Sequence, residues 1–61
     1  MTPENYRSRC DALLLALLGS RELVQRWWHS PNLNWQLETP ENIFKNNPQQ
    51  VYTYLLAYYD S

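Results

Sequence analysis

Proline follows a side-chain hydrogen-bond acceptor at three places in the sequence, and this feature most restricts the possible fold. The three sites are Thr2-Pro3-Glu4-Asn5, Thr39-Pro40-Glu41-Asn42 and Asn47-Pro48-Gln49-Gln50. The first residue of each can cap a helix, and proline suits the first helical position because its missing N–H would have no partner there. Ser20 gives a fourth start directly after Gly19, which can end a helix in the left-handed conformation. The sequence therefore predicts four helices, at residues 3–18, 21–29, 40–45 and 48–59.

The chain is too short to bury the apolar surface that such helices would present. A domain of 61 residues buries only about 60% of its unfolded surface, and the single cysteine allows no internal disulfide. Domains that are too small to form a sufficient core often rely on oligomerisation. Three Trp and five Tyr residues, which are enriched in interface anchors, favour the same solution. We therefore expect an all-α, four-helix domain, with two longer outer helices, one medium and one short, that forms a homodimer.

Apolar side chains on the fourth predicted helix form two stripes. One stripe comprises Val51, Tyr54, Leu55 and Tyr58, and the other, about 100° away, comprises Tyr52, Leu56 and Tyr59. One stripe is enough for the core, so we expect the other to meet a second chain. The first helix is also apolar on more than one side. The residues predicted to form a partner or dimer interface are Leu15, Tyr52, Leu56, Tyr58 and Tyr59.

The segment between the second and third helices alternates apolar and polar residues. Leu33, Trp35 and Leu37 are spaced by two, a pattern that also occurs in strands. A single short segment has no strand to pair with, however. The second helix must end before Pro31, because the residue before proline is disfavoured in helical geometry. We therefore expect an ordered loop held in place by Trp35.

Side chains suited to catalysis or metal binding are scarce. Cys10 and His29 are the only soft metal ligands, and they fall in different predicted helices. We expect Cys10 to be a small core residue and His29 to interact with the end of the second helix. A single glycine cannot form a glycine-rich phosphate loop. The sequence therefore predicts no enzyme activity, no cofactor and no metal site.

Charge and hydropathy narrow the possible partners. The net charge is −1, from five basic and six acidic residues, so nucleic acid is not the expected partner. The longest apolar run, residues 12–18, has seven residues, whereas a membrane span needs about 20. No signal peptide is visible after Met1. We expect a complete small cytoplasmic protein.

Several short motifs follow one another from the second predicted helix to the fourth. They are Trp27-Trp28, Pro31-Asn32, Thr39-Pro40, Ile43-Phe44, and Val51 with Leu55. Their order and spacing resemble the toxin-binding domain of the Xre/MbcA/ParS antitoxins, over about residues 17–56. That family has leucine where this chain has Trp28, and usually a glycine where this chain has Leu37.

The resemblance implies a helical module that dimerises and sequesters a partner toxin, often one that consumes NAD. In that family the C-terminal region of the antitoxin obstructs the active-site cleft of the toxin. By position, the resemblance implies that the toxin contacts are Tyr52, Leu56, Tyr58 and Tyr59 of the fourth helix. The residues implied to be structural are Trp27, Trp28, Pro31, Asn32, Trp35, Thr39 and Pro40. Typical members also carry an N-terminal helix-turn-helix domain, for which the residues before the second helix leave no room, so we do not expect transcriptional autoregulation.

Two other functions stay open at this point. A small nucleic-acid-binding protein could use the second and third helices as a helix-turn-helix, with Arg21 and Arg26 on phosphates. A structural subunit of a larger assembly, such as one encoded by a phage, would also need exposed aromatic side chains.

Overall fold

In the computed structural model, which describes residues 2–60, four α-helices account for most of the chain. Their bounds are α1 (Pro3–Leu18), α2 (Arg21–His29), α3 (Pro40–Asn46) and α4 (Pro48–Asp60), and one turn of 3-10 helix, Leu33–Trp35, lies between α2 and α3. The predicted all-α class with four helices is confirmed. The bounds of α1 and α2 agree with the prediction, and α3 and α4 each end one residue later.

Side-chain caps begin the first three helices. The hydroxyl oxygens of Thr2, Ser20 and Thr39 each accept a hydrogen bond from the backbone N–H three residues later, at 3.2 Å. Gly19 ends α1 with a φ of 86°, in the left-handed region where a glycine is favoured. Local sequence therefore sets where these helices start and where α1 stops.

The start of α4 differs from the expected side-chain cap. The N–H of Gln50 donates to the backbone carbonyl oxygen of Asn47 at 3.1 Å. Asn47 also ends α3, where its own N–H donates to the carbonyl oxygen of Ile43 at 2.8 Å. One residue thus closes a helix and opens the next, which leaves no linker between α3 and α4.

α1 and α4 lie side by side and run in the same direction. Near their starts, the ring centroids of Tyr6 and Tyr52 are 5.5 Å apart. Near their ends, Leu17 and Leu18 line one groove together with Tyr58. α2 packs on α1, and α3 contacts both α2 and α4. The two longest helices therefore terminate at the same end of the molecule.

The core is small and takes residues from every α-helix. Its buried members are Cys10, Leu14, Val24, Trp28, Phe44, Val51 and Leu55. Leu17 and Leu18 end the apolar run of residues 12–18 but lie at the surface, because α2 and α4 leave a groove beside the last turn of α1. The chain thus leaves part of its longest apolar run accessible.

The indole of Trp28 is fully buried and holds three helices together. Its Nε1–H donates to Oδ1 of Asp11 at 2.8 Å. The guanidinium of Arg7 lies over the ring, 3.7 Å from its centroid, and donates to Oε2 of Glu41 at 2.9 Å. Phe44 packs edge-on against the same ring, with the centroids 5.4 Å apart. A single aromatic side chain of α2 is therefore fixed by α1 and α3.

Replacing Arg7 with methionine should lower the free energy of unfolding by about 1–2 kcal/mol, because it removes the cation–π contact with Trp28 and the ion pair with Glu41. Methionine keeps an unbranched side chain with good helix propensity. Urea denaturation followed by circular dichroism measures the change. The matched control is Arg9→Met on the exposed side of α1, which should change the stability by less than about 0.5 kcal/mol. Equal losses in the two variants would contradict this role of Arg7.

Candidate functional site

An apolar groove lies at the end of the molecule where α1 and α4 both terminate. It has a volume of about 350 Å³ and is lined by Leu14, Leu17, Leu18, Trp27, Tyr54, Leu55 and Tyr58. Leu14 and Leu55 are buried core residues and form its base. Since every lining side chain is aliphatic or aromatic, the groove suits an apolar group better than a charged ligand.

Ring contacts with the core hold the aromatic wall of the apolar groove. Trp27 packs edge-on against the buried Trp28, with ring centroids 5.2 Å apart. Trp35 contacts Trp27 at 6.2 Å and Tyr54 at 4.8 Å, and Tyr54 in turn contacts Tyr58 at 6.2 Å. Neighbouring rings therefore restrict the motion of the aromatic side chains in the wall. These side chains consequently lose little conformational entropy when a ligand binds.

Hydrogen bonds fix the loop that connects α2 to α3. The N–H of Asn32 donates to the carbonyl oxygen of Glu38 at 3.0 Å, which closes the loop at its base. The side chain of Asn32 accepts from the N–H of Asn34 at 2.9 Å, and Nδ2 of Asn34 donates to the hydroxyl of Tyr54 at 2.8 Å. The segment is thus an ordered loop, and it contains the turn of 3-10 helix, which the alternating pattern did not indicate.

This segment, residues 32–38, is called the leucine loop below because it exposes two leucines. Leu33 is 86% exposed and Leu37 is 62% exposed. Gln36 and Leu37 have φ values of 54° and 69°. A left-handed backbone costs roughly 1–2 kcal/mol for a residue other than glycine. Leu37 is therefore strained at the position where the family that the sequence resembles usually has glycine.

A second groove lies between α1 and α2 and has a mixed lining. Its volume is about 270 Å³, and its lining residues are Asp11, Ala12, Leu15, Arg21, Val24 and Gln25. The carboxylate of Asp11 already accepts the indole N–H of Trp28. This groove is therefore less suited than the apolar groove to a purely apolar ligand.

The structure distributes the predicted interface residues over several surfaces. Leu15 lines the groove between α1 and α2, and Tyr58 lines the apolar groove. Tyr52 is half-buried against Tyr6. Leu56 and Tyr59 are exposed on α4 but line neither groove. Leu15 and Tyr58 therefore belong to different grooves, while Tyr52, Leu56 and Tyr59 lie outside both.

The residues that the resemblance implies to be structural lie in and around the connection from α2 to α3. The aromatic members and one proline are buried or half-buried: Trp27, Trp28, Trp35 and Pro40. Asn32 and Thr39 accept the hydrogen bonds that begin the 3-10 turn and α3. Pro31 is exposed.

Five lining residues of the apolar groove were not among the predicted site residues: Leu14, Leu17, Leu18, Tyr54 and Leu55. In the sequence, Leu14, Leu17 and Leu18 belong to the apolar run of residues 12–18, and Tyr54 and Leu55 belong to one of the two apolar stripes of α4. A signal for the leucines was present, because the apolar run continues to the last residue before Gly19, and the last turn of α1 has no basic side chain. The matching signal for Tyr54 is absent, since its role depends on the position of Trp35.

Cys10 and His29 occupy different environments. Cys10 is fully buried, and this burial, with a smaller contribution from the carboxylate of Asp11, raises the pKa of its thiol to about 11. The thiol therefore stays protonated near neutral pH. His29 is exposed at the end of α2.

Within residues 2–60, His, Cys, Asp and Glu side chains form no group of three or more that could hold a metal ion. In the same part of the chain, each helix is too short or too polar to cross a membrane.

Comparisons with known proteins gave no match to a family model, to a curated protein or to a solved structure. The function must therefore be inferred from the apolar groove, the leucine loop and the motifs in the sequence.

Replacing Leu37 with glycine should raise the free energy of unfolding by about 0.5–1 kcal/mol. Relief of the left-handed strain, about 1–2 kcal/mol, outweighs the entropic cost of a glycine, roughly 0.5–1 kcal/mol. Urea denaturation measures the effect. Leu33→Gly is the control, because Leu33 is also exposed but has no positive φ, so this variant should be less stable than the original chain. The same decrease in the free energy of unfolding in both variants would show that glycine at position 37 does not relieve the backbone strain.

The pKa of Cys10 predicts a loss of stability in alkali. The thiol of an unfolded chain loses its proton above pH 9.0, whereas the folded thiol keeps it to about pH 11. The contribution of Cys10 is therefore constant below pH 9.0 and falls as the pH rises through this window. Urea denaturation across the window should show a steeper fall for the original chain than for Cys10→Ala. If the free energy of unfolding falls with pH at the same slope in both proteins, the raised pKa of the Cys10 thiol is contradicted.

Proposed function

We propose that this protein is a binding module whose apolar groove accepts an apolar segment of another protein chain. The accessibility of Leu18, Trp27 and Tyr58 around a groove with no charged lining residue supports this most directly. Burial of such surface is worth about 25 cal/mol per Å². Tryptophan and tyrosine at the centre of a contact are also frequent binding hot spots.

The partner that we propose is a toxin, which the module would sequester in the manner of an antitoxin. Two of the motifs that resemble the antitoxin family reach the apolar groove, since Trp27 and Leu55 line it and Trp28 supports Trp27. The left-handed φ of Leu37 lies where that family usually has glycine, which is consistent with a similar loop. Tyr58 lines the groove near the end of the chain, as the resemblance would require of a partner contact.

The proposed activity is binding without catalysis, in the cytoplasm. The Cys10 thiol is buried and protonated, and the His29 imidazole is exposed on another helix, so the two are not arranged as a nucleophile and base. A lone buried cysteine is also compatible with a reducing compartment.

Nucleic-acid binding has less support. Nη2 of Arg26 pairs with Oε1 of Glu22 at 3.1 Å, and Arg7 pairs with Glu41 at 2.9 Å. These ion pairs reduce the positive charge available to phosphates. A structural subunit of an assembly would use the same apolar groove, and native mass spectrometry of the complex purified from cells distinguishes it from a complex with a toxin.

Replacing Leu18 with serine should weaken binding of the proposed toxin by about tenfold or more, because one wall of the apolar groove is lost. The protein to test as that toxin is the product of the neighbouring gene. Co-expression should then no longer restore growth of cells that produce the toxin. Titration of the purified pair measures the affinity directly.

The matched control is Leu23→Ser on α2. Leu23 is 43% exposed and Leu18 is 36% exposed, but Leu23 does not line the apolar groove. This variant should bind as tightly as the original chain. Growth restored equally by both variants would contradict binding in the groove.

A further inference from the structure

The groove between α1 and α2, called the mixed groove below, carries opposite charges toward its two ends. Asp11 lies across from the last turn of α2, because its carboxylate accepts the indole N–H of Trp28 at 2.8 Å. Arg21 is the first residue of α2 and lines the same groove. The helix rises about 10 Å between residues 21 and 28. The carboxylate and the guanidinium do not pair with each other, so the mixed groove keeps its two charges apart.

Apolar side chains line the mixed groove between these charges. Leu15 is 40% exposed and lies one helical turn after Asp11 on α1. Val24, which is buried, and Ala12 complete the apolar surface. A straight aliphatic chain can lie along such a surface while its charged end stays in water, as the stems of lysine and arginine side chains do. The middle of the mixed groove therefore suits methylene groups.

The negative charge of Asp11 is only partly balanced within the protein. Its nearest hydrogen-bond donor, the indole of Trp28, is neutral. Nε of Arg7 is 3.8 Å from Oδ1 of Asp11, but the guanidinium of Arg7 lies closer to the carboxylate of Glu41, at 2.9 Å. The side chain of Asp11 is also 46% exposed. A cation in the mixed groove can therefore reach this carboxylate.

The positive charge of Arg21 is not balanced by an acidic side chain. Residues 2–60 contain three ion pairs, and none of them includes Arg21. Gln25, one helical turn later on α2, lines the mixed groove beside Arg21 and has an amide that can donate a hydrogen bond. A carboxylate at this end would thus meet a guanidinium, whose fork of N–H donors matches its two oxygens, and a neutral amide.

We propose that the mixed groove binds an aliphatic chain that carries an ammonium group at one end and a carboxylate at the other. The ammonium group pairs with Asp11, the methylene groups lie on Leu15 and Val24, and the carboxylate pairs with Arg21. A lysine at the C-terminus of a polypeptide has this chemistry, and so do free amino acids with a terminal ammonium group. The site is separate from the apolar groove, so this inference does not rest on the proposed function.

Titration with three small molecules of equal chain length tests whether both charges matter. The probe is 6-aminohexanoate, whereas hexanoate lacks the ammonium group and hexylamine lacks the carboxylate. In low-salt buffer we expect a Kd of about 1–10 mM for the probe and about fivefold weaker binding of the other two, because partly exposed ion pairs are weak and screened by salt.

Nuclear magnetic resonance of the full chain measures these Kd values, and the amide signals that shift show where each molecule binds. The signals of the residues that line the mixed groove should shift most. Binding of 6-aminohexanoate no tighter than that of hexanoate or hexylamine overturns the proposal. Shifts confined to other parts of the chain also overturn it.

Removing either charge should weaken binding of 6-aminohexanoate. Asp11→Asn keeps an oxygen that can accept the indole N–H of Trp28, and circular dichroism checks that the variant is folded. This variant and Arg21→Gln should each raise the Kd about fivefold. The matched controls, Asp60→Asn and Arg9→Gln, remove the same charges outside the mixed groove and should keep the original Kd. Equal effects of variants and controls overturn the proposal.

Reversing one charge gives a sharper test, because it should exchange one ligand for another. Arg21→Glu places a carboxylate at each end of the mixed groove, so this variant should prefer the diamine of the same chain length to 6-aminohexanoate. Glutamate is favourable in the first turn of a helix, so the variant should fold. The original chain should show the opposite preference. The same order of affinities in both proteins overturns the proposal.

Nα-acetyl-lysine and free lysine distinguish a polypeptide end from a free amino acid. Both have the required ammonium and carboxylate groups, but free lysine has a second ammonium group beside its carboxylate, which Arg21 would repel. Nα-acetyl-lysine, which has the chemistry of a chain end, should therefore bind more tightly. We accordingly expect the natural ligand to be a polypeptide that ends in lysine. Tighter binding of free lysine would overturn the pairing of the carboxylate with Arg21.

Discussion

The buried indole of Trp28 is the constraint on which the rest of the fold depends. A chain with so little core cannot leave an indole N–H without an acceptor, and Asp11 supplies one at 2.8 Å. Arg7 then covers the ring and pairs with Glu41, so the contacts of this one side chain join α1, α2 and α3. Within residues 2–60, no buried side-chain polar atom lacks a hydrogen-bond partner. The polar contacts thus specify an orientation that apolar packing alone would leave open.

The helices could be predicted because their signals are local. Features that depend on tertiary packing could not be predicted from the sequence. Caps at Thr2, Ser20 and Thr39 act within one turn, so the sequence alone locates three starts. The difference between the buried Trp28 and the groove-lining Trp27 depends on what surrounds each ring. The position of Leu18 beside a groove depends likewise on the direction of α4, which no local pattern encodes.

The same side chains contribute to stability and to the candidate site. Tyr54 packs on Trp35, accepts a hydrogen bond from Asn34 and also lines the apolar groove. Trp27 rests on Trp28 in the same way. A ligand that binds these residues in the folded state alone must also stabilise the fold, by an amount that increases with its concentration relative to its Kd.

The parallel arrangement of α1 and α4 affects how the chain reaches its native state. Tyr6 meets Tyr52 across almost the full length of the described chain, so the contacts that complete the core have a large sequence separation. Folding slows as such separations grow relative to chain length. On the ribosome, α2 can pack on α1 as soon as both are made, but the side of α1 that contacts α4 has no neighbour until α4 has been synthesised. The leucines on that side are therefore the last part of α1 to be covered.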